Sequence, residues 1–222
     1  SAVRVIFMTE QLNDLQAELS PAQDLSTNIS VNAPEVADTV ASNEPNGFVQ
    51  LGLADELVKA VTDLGYTQPT AVQSRTIPLA LPADDEDHHG YNDLMVSSQT
   101  GSGKTAAFLL PVLHTLIQQQ AAAEAQAKAD YDQACADAAA RGEELPKRAR
   151  RKDPTNPRNF KAAVPGALVL CPTRELAQQV AHDAIELVKH CRGLRIANVV
   201  GGIPYQIQIA KLQNANLVVA TP

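Results

Sequence analysis

Ser98-Gln99-Thr100-Gly101-Ser102-Gly103-Lys104-Thr105 is the stretch on which the reading of this chain turns. A short apolar run, Leu94-Met95-Val96, precedes it, and Ala106-Ala107-Phe108-Leu109-Leu110 follows. The pattern is strand, glycine-rich turn, helix, and it fits G-x-x-x-x-G-K-[ST] except that Ser98 stands at the first glycine. Small residues let the main chain approach a triphosphate and aim several N–H groups at it. A helix beginning near Gly103 adds its positive dipole end and its unpaired N–H donors. Lys104 is placed to reach the β- and γ-phosphates, and the hydroxyl of Thr105 suits a Mg²⁺ ligand. A glycine turn alone is equally a structural feature; strand, helix and Lys-Thr together make this a nucleotide phosphate site.

At 222 residues the chain is long enough to bury a core in one or two domains. Its hydrophobic fraction of 45% is that of a globular protein, and no apolar run is long enough to span a bilayer. Ser1–Phe7 is too short an apolar patch for a signal peptide, and Met8-Thr9-Glu10 reads as a natural start. Cys135, Cys171 and Cys191 are odd in number and widely spaced, which argues against a disulfide framework or a zinc site. A reducing, cytoplasmic setting is the expectation. The formal charge of −7 is unevenly placed. Residues 1–47 carry seven acids and one base, whereas residues 141–161 carry eight bases and three acids. Net charge is therefore a poor guide to the folded surface.

Residues 1–46, with Pro21, Pro34 and Pro45 among Ser, Asn and Asp, read as a disordered acidic tail that solvates the protein or binds a partner. Order is expected over 47–222. Leu53, Leu57, Val61 and Leu64 recur at helical spacing and Gly65 supplies the stop. A second short helix follows, up to Leu81. The loop Asp84-Asp85-Glu86-Asp87-His88-His89 has acids beside histidines, readable as a metal site or a solvated loop; it lacks a fixed scaffold. After the phosphate loop a helix is expected through Leu116 and on through the Ala/Gln-rich residues to Ala140, with Pro111 kinking it or marking a boundary. Residues 118–165 read as an insertion, helical and then disordered, whose basic half is a linker or an electrostatic tether.

The α/β rhythm then resumes. Ala167–Cys171 is an apolar strand, Thr173 caps a helix with Leu176, Val180, Ala184, Leu187 and Val188 on one face, Leu194–Val200 is a strand, Tyr205–Asn214 a helix, and Leu217–Ala220 a strand. The alternation predicts a three-layer α/β/α domain with a parallel sheet, its ligands beyond the carboxyl ends of the strands.

These residues resemble the first RecA-like domain of the DEAD-box RNA helicases, from Phe48 to the last residue apart from the insertions. Gly65–Gln73 is similar to the family's Q motif, with Phe48 as its isolated upstream aromatic. Gln99–Thr105 is similar to motif I, Pro172-Thr173-Arg174-Glu175-Leu176 to motif Ia, Gly201-Gly202 to the GG motif, and Thr221-Pro222 to the start of motif Ib. The resemblance implies an incomplete RecA-like lobe that binds ATP and Mg²⁺ through Phe48, Tyr66, Gln73, Gln99, Thr100, Gly101, Ser102, Gly103, Lys104 and Thr105. It also implies RNA binding through Pro172, Thr173, Arg174, Glu175, Gly201, Gly202, Thr221 and Pro222.

The chemistry of each agrees. A Gln amide donates and accepts at once, so Gln73 suits the N6 and N7 edge of adenine better than the two acceptors of guanine. Phe48 and Tyr66 serve either the base or the core. Thr173-Arg174-Glu175 caps a helix or meets an RNA phosphate there. Gly201-Gly202 is a plain turn or a place where a sugar-phosphate chain comes close, without reading its sequence. Asp85-Glu86-Asp87-His88 imitates the D-E-x-H hydrolytic motif of related helicases, but it precedes the phosphate loop and follows no apolar strand. The implied activity is ATP-dependent unwinding of RNA, with a nucleotide-switched RNA-binding scaffold as the alternative and a DNA helicase as a weaker one. The 222 residues by themselves are expected not to hydrolyse ATP, because the acids and arginines of the rest of the family's machinery are not in them.

Overall fold

A computed structural model describes residues 46–81, 93–144, 146 and 164–222. The acidic tail up to residue 45, the acid/histidine loop with its D-E-x-H look-alike, and most of the basic stretch lie outside the described residues.

The chain enters through a 3₁₀ turn, Gly47–Leu51, whose Phe48 is fully buried, and passes to α1 (Asp55–Asp63) and α2 (Ala71–Ala80). Leu57 and Val61 bury the inner face of α1, and Gly65, at φ +81°, turns the chain out of it as the sequence predicts. Asn46, assigned by sequence to the tail, is engaged: its Oδ1 accepts from Phe48 N at 3.0 Å and its Nδ2 donates to Tyr66 O at 2.8 Å.

Helix α3 runs from Lys104 to Arg141 without a break at Pro111. Of the kink or boundary expected there, the boundary does not form. Pro111 costs the helix one N–H bond, but it sits among buried neighbours from Ala107 to Leu116, and Thr115 Oγ1 donates to its carbonyl at 3.0 Å. Burial of that apolar segment outweighs the missing bond. Beyond Ile117 the helix stands largely in solvent and ends at Gly142, φ +70°. It is long, yet among the described residues no helix is long and apolar enough to cross a membrane.

Three parallel strands, β1 (Ala167–Leu170), β2 (Ile196–Val199) and β3 (Leu217–Ala220), form a sheet in the order β1-β3-β2. Helices α4 (Arg174–Leu187) and α5 (Tyr205–Leu212) are the crossovers. One sheet face, with Ala167, Leu217 and Val219, packs into the main core together with residues of α1, α3 and α4. The other, with Ala197, Val218 and Ala220, meets Leu212 of α5. That second layer is thin, so Leu168 and Leu170 of β1 remain exposed.

One expected strand does not pair. Residues 93–99 form neither helix nor strand, and Leu94-Met95-Val96 joins no ladder among the described residues. A strand exists only by pairing, and without a neighbour Met95 stays 87% exposed. An open groove of about 300 Å³ lies between this segment and α2, lined by Val72, Leu79 and Leu94.

Candidate functional site

The phosphate loop closes on itself. Ser102 N donates to Gln99 O at 3.4 Å, and Gly101 and Gly103 take φ of +79° and +83°, the left-handed region open to glycine. Gly103 is the N-cap of α3 and brings no side-chain oxygen to it. The first-turn N–H groups of Lys104 and Thr105 therefore face the loop without a capping side chain, which is the arrangement that suits an anion. Lys104 Nζ donates to Gln99 O at 2.6 Å and to Ser98 O, so the ammonium lies folded across the loop. The hydroxyls of Ser98 and Ser102 touch. Thus Ser98, the departure from the glycine pattern, is built into the loop by its side chain. Thr105 is half-buried in the first turn and its hydroxyl has no hydrogen bond among the described residues.

Helix α2 is tied to this loop at its N-terminus. Thr70 and Gln73 form a reciprocal capping box: Thr70 Oγ1 accepts from Gln73 N at 3.3 Å, and Gln73 Oε1 accepts from Thr70 N at 2.9 Å. From there Thr70 Oγ1 donates to Ser102 O at 2.9 Å, and Gln73 Nε2 donates to Gly103 O at 3.2 Å. Gln73 is only 6% exposed, and a Cβ on Gly103 would run into its Nε2. Gln73 is the third residue of α2. Thr70 was not singled out, although Thr70-Ala71-Val72-Gln73 carries the T-x-x-Q capping signal.

The two aromatics part company. Phe48 is 1% exposed and its ring belongs to the core, so the structure uses it for packing. Tyr66 is 51% exposed, at the loop that Asn46 ties to the 3₁₀ turn.

A second group of predicted residues gathers along the carboxyl ends of the strands. Parallel strands send their ends to one edge, so Pro172-Thr173-Arg174-Glu175 after β1, Gly201-Gly202 after β2 and Thr221-Pro222 after β3 share a rim, with all of them exposed except half-buried Thr221. Thr173 Oγ1 accepts from Leu176 N at 3.2 Å, the expected cap of α4. Arg174 Nη1 reaches Gly201 O at 3.5 Å, which joins two motifs that lie 27 residues apart. Thr221 N donates to Val199 O at 3.2 Å. Beneath the Gly-Gly turn lies Gln208, which sequence reasoning missed because α5 carries two glutamines, Gln206 and Gln208, and nothing local marks which one is buried.

Away from both groups, buried His114 accepts from Ala54 N at 3.0 Å through Nδ1, and burial holds its pKa below the usual histidine value. All three cysteines are free; burial, then the Glu56 carboxylate, pushes the Cys191 thiol up to about 11. No cluster of metal-ligating side chains occurs among the described residues.

The sequence profile of the DEAD/DEAH box helicases matches residues 70–222. The chain belongs to the DEAD/DEAH box helicase family. Relatives include the ATP-dependent RNA helicase SrmB of Haemophilus influenzae, 38% identical over 79% of this chain and 29% of its own length. Another is the ATP-dependent RNA helicase DeaD of Escherichia coli, 34% identical over 79% of this chain and 20% of its own. Among solved structures, the DEAD box protein of Methanococcus jannaschii superposes with a TM-score of 0.50 at 30% identity, covering 79% of this chain and 34% of that one. Dbp5 L327V of S. cerevisiae, bound to RNA and ADP BeF3, gives 0.50 at 27% identity over 80% and 32%. The family fold is therefore the RecA-like α/β fold expected from the sequence. The chain spans about a third or less of these relatives.

Proposed function

We propose that this chain is the ATP-binding lobe of an ATP-dependent RNA helicase, with ATP at the phosphate loop and RNA along the rim of the sheet. The observation that carries it is the clasp between α2 and the loop: Thr70 and Gln73 together hold Ser102 and Gly103 by two hydrogen bonds. A phosphate loop joined directly to a carboxamide couples base recognition to triphosphate binding. After its bonds to Thr70 and Gly103, the Gln73 amide retains one N–H and one lone pair, the pair an adenine edge requires. Tyr66 is the aromatic with surface to offer the base.

On this reading Lys104 leaves the carbonyls of Ser98 and Gln99 for the phosphates, where a charge-assisted bond is the stronger one. The hydroxyl of Thr105 would hold Mg²⁺, which would supply neutralisation of phosphate charge. Lys104 and Thr105 then serve by positioning and charge. Arg174 and the Gly201-Gly202 peptides hold the RNA backbone without reading its bases. The dispersed free cysteines fit a cytoplasmic protein. Strand displacement from a short RNA duplex by the full-length protein tests the proposal. Release with ATP but not with GTP supports it, and nucleotide-dependent RNA binding with no strand release would favour the scaffold alternative.

A further inference from the structure

Gln208 is 7% exposed on α5, and its Nε2 donates to the two carbonyls that bracket the Gly-Gly turn: Val200 O at 3.2 Å and Ile203 O at 2.7 Å. Two carbonyl acceptors fix which end of the amide is the nitrogen. The amide oxygen is buried with no partner among the described residues. Burying an unpaired oxygen is unfavourable, so the side chain is oriented by what its NH₂ group holds. An apolar side chain of the same length would bury there without that penalty.

What the NH₂ group holds is the turn. Gly202 stands at φ +85° with Arg174 Nη1 close outside, 3.2 Å from where its Cβ would be. A Cβ on Gly201 would meet nothing within 4 Å, so the outer face of that residue is open. Gln208 thus clasps the turn from beneath while Arg174 touches Gly201 O from above. We propose that Gln208 is a positioning residue for the RNA backbone: it fixes the Gly201-Gly202 peptides, and through Gly201 the Arg174 guanidinium, in the place where a phosphate is received. This rests on the proposed RNA rim.

The test is a double-mutant cycle in the full-length protein, with binding of a single-stranded RNA and of ADP measured separately. Gln208→Met keeps the length and removes both donors. It is expected to weaken RNA binding about fivefold to tenfold, as for one or two misplaced hydrogen bonds, and to leave ADP affinity within about twofold. Arg174→Ala weakens RNA binding by itself, and the double variant is weaker by clearly less than the product of the two, because the residues act on one turn. If Gln208→Met does not fold, Gln208→Asn, one methylene too short to reach both carbonyls, is read the same way. If neither folds, the residue is structural and the proposal falls. It falls equally if RNA binding survives Gln208→Met, if ADP binding drops as far as RNA binding, or if the two effects multiply. RNA binding untouched by Arg174→Ala would remove the rim itself, and this inference with it.

Discussion

The carboxamide of Gln73 donates to the main-chain carbonyl of Gly103 across 3.2 Å, and this bond fixes the start of α2 to the start of α3. Gly103 cannot carry a side chain there: its φ is +83° and a Cβ would run into Gln73 Nε2. Gly103→Ala should therefore lower ADP affinity at least tenfold while the protein stays folded, since the strain falls on the loop and the collision on the end of the Gln73 side chain. Isothermal titration with a thermal melt on the same sample checks both halves.

Gln73→Ala removes the clasp and the carboxamide proposed to meet the base. The full-length protein should prefer ADP to GDP, and the variant should lose most of that preference together with about tenfold in ADP affinity. Equal affinity of the unmutated protein for both nucleotides would contradict the adenine assignment.

Thr173 allows capping and phosphate contact to be separated. Thr173→Ala loses the bond to Leu176 N and should cost about 1 kcal/mol in urea unfolding. Thr173→Asp keeps a capping oxygen and so most of the stability, but sets a negative charge on the rim. RNA binding should then weaken in the Asp variant more than in the Ala variant. The reverse order would show that Thr173 only caps.

The legible parts of this chain were those with local causes. Gly65 ends α1, Thr173 caps α4 and Lys104-Thr105 opens α3, each because the residue's own chemistry acts within one turn of helix. The apolar runs of β1 and β3 likewise declared themselves. What escaped depends on distant partners. Leu94-Met95-Val96 has the composition of a strand, but pairing needs a neighbour that the residue types cannot supply. Pro111 reads as a breaker until the buried surface on either side of it is known. Phe48 gave no sign of whether its ring faces a ligand or the core. Gln208 lies six residues beyond the turn it holds, and only the fold brings them together.

His114 makes stability depend on pH in a defined direction. Its Nδ1 accepts from Ala54 N, so the folded protein holds it neutral, with a pKa below the 6.5 of the unfolded chain. Between those two values the unfolded state binds the proton, and stability falls as pH falls through that window. The urea midpoint should drop from pH 7.5 to 5.5, and His114→Gln, which can still accept from Ala54, should flatten that drop. Parallel profiles for the two proteins would contradict this.

The most direct test of an ATP site coupled to an RNA rim is the rate of phosphate release from ATP by the full-length protein, with and without single-stranded RNA, in the unmutated form and in Lys104→Ala. The predicted result is a rate raised by RNA and lost in Lys104→Ala. A rate indifferent to RNA, or one that persists without Lys104, would contradict it.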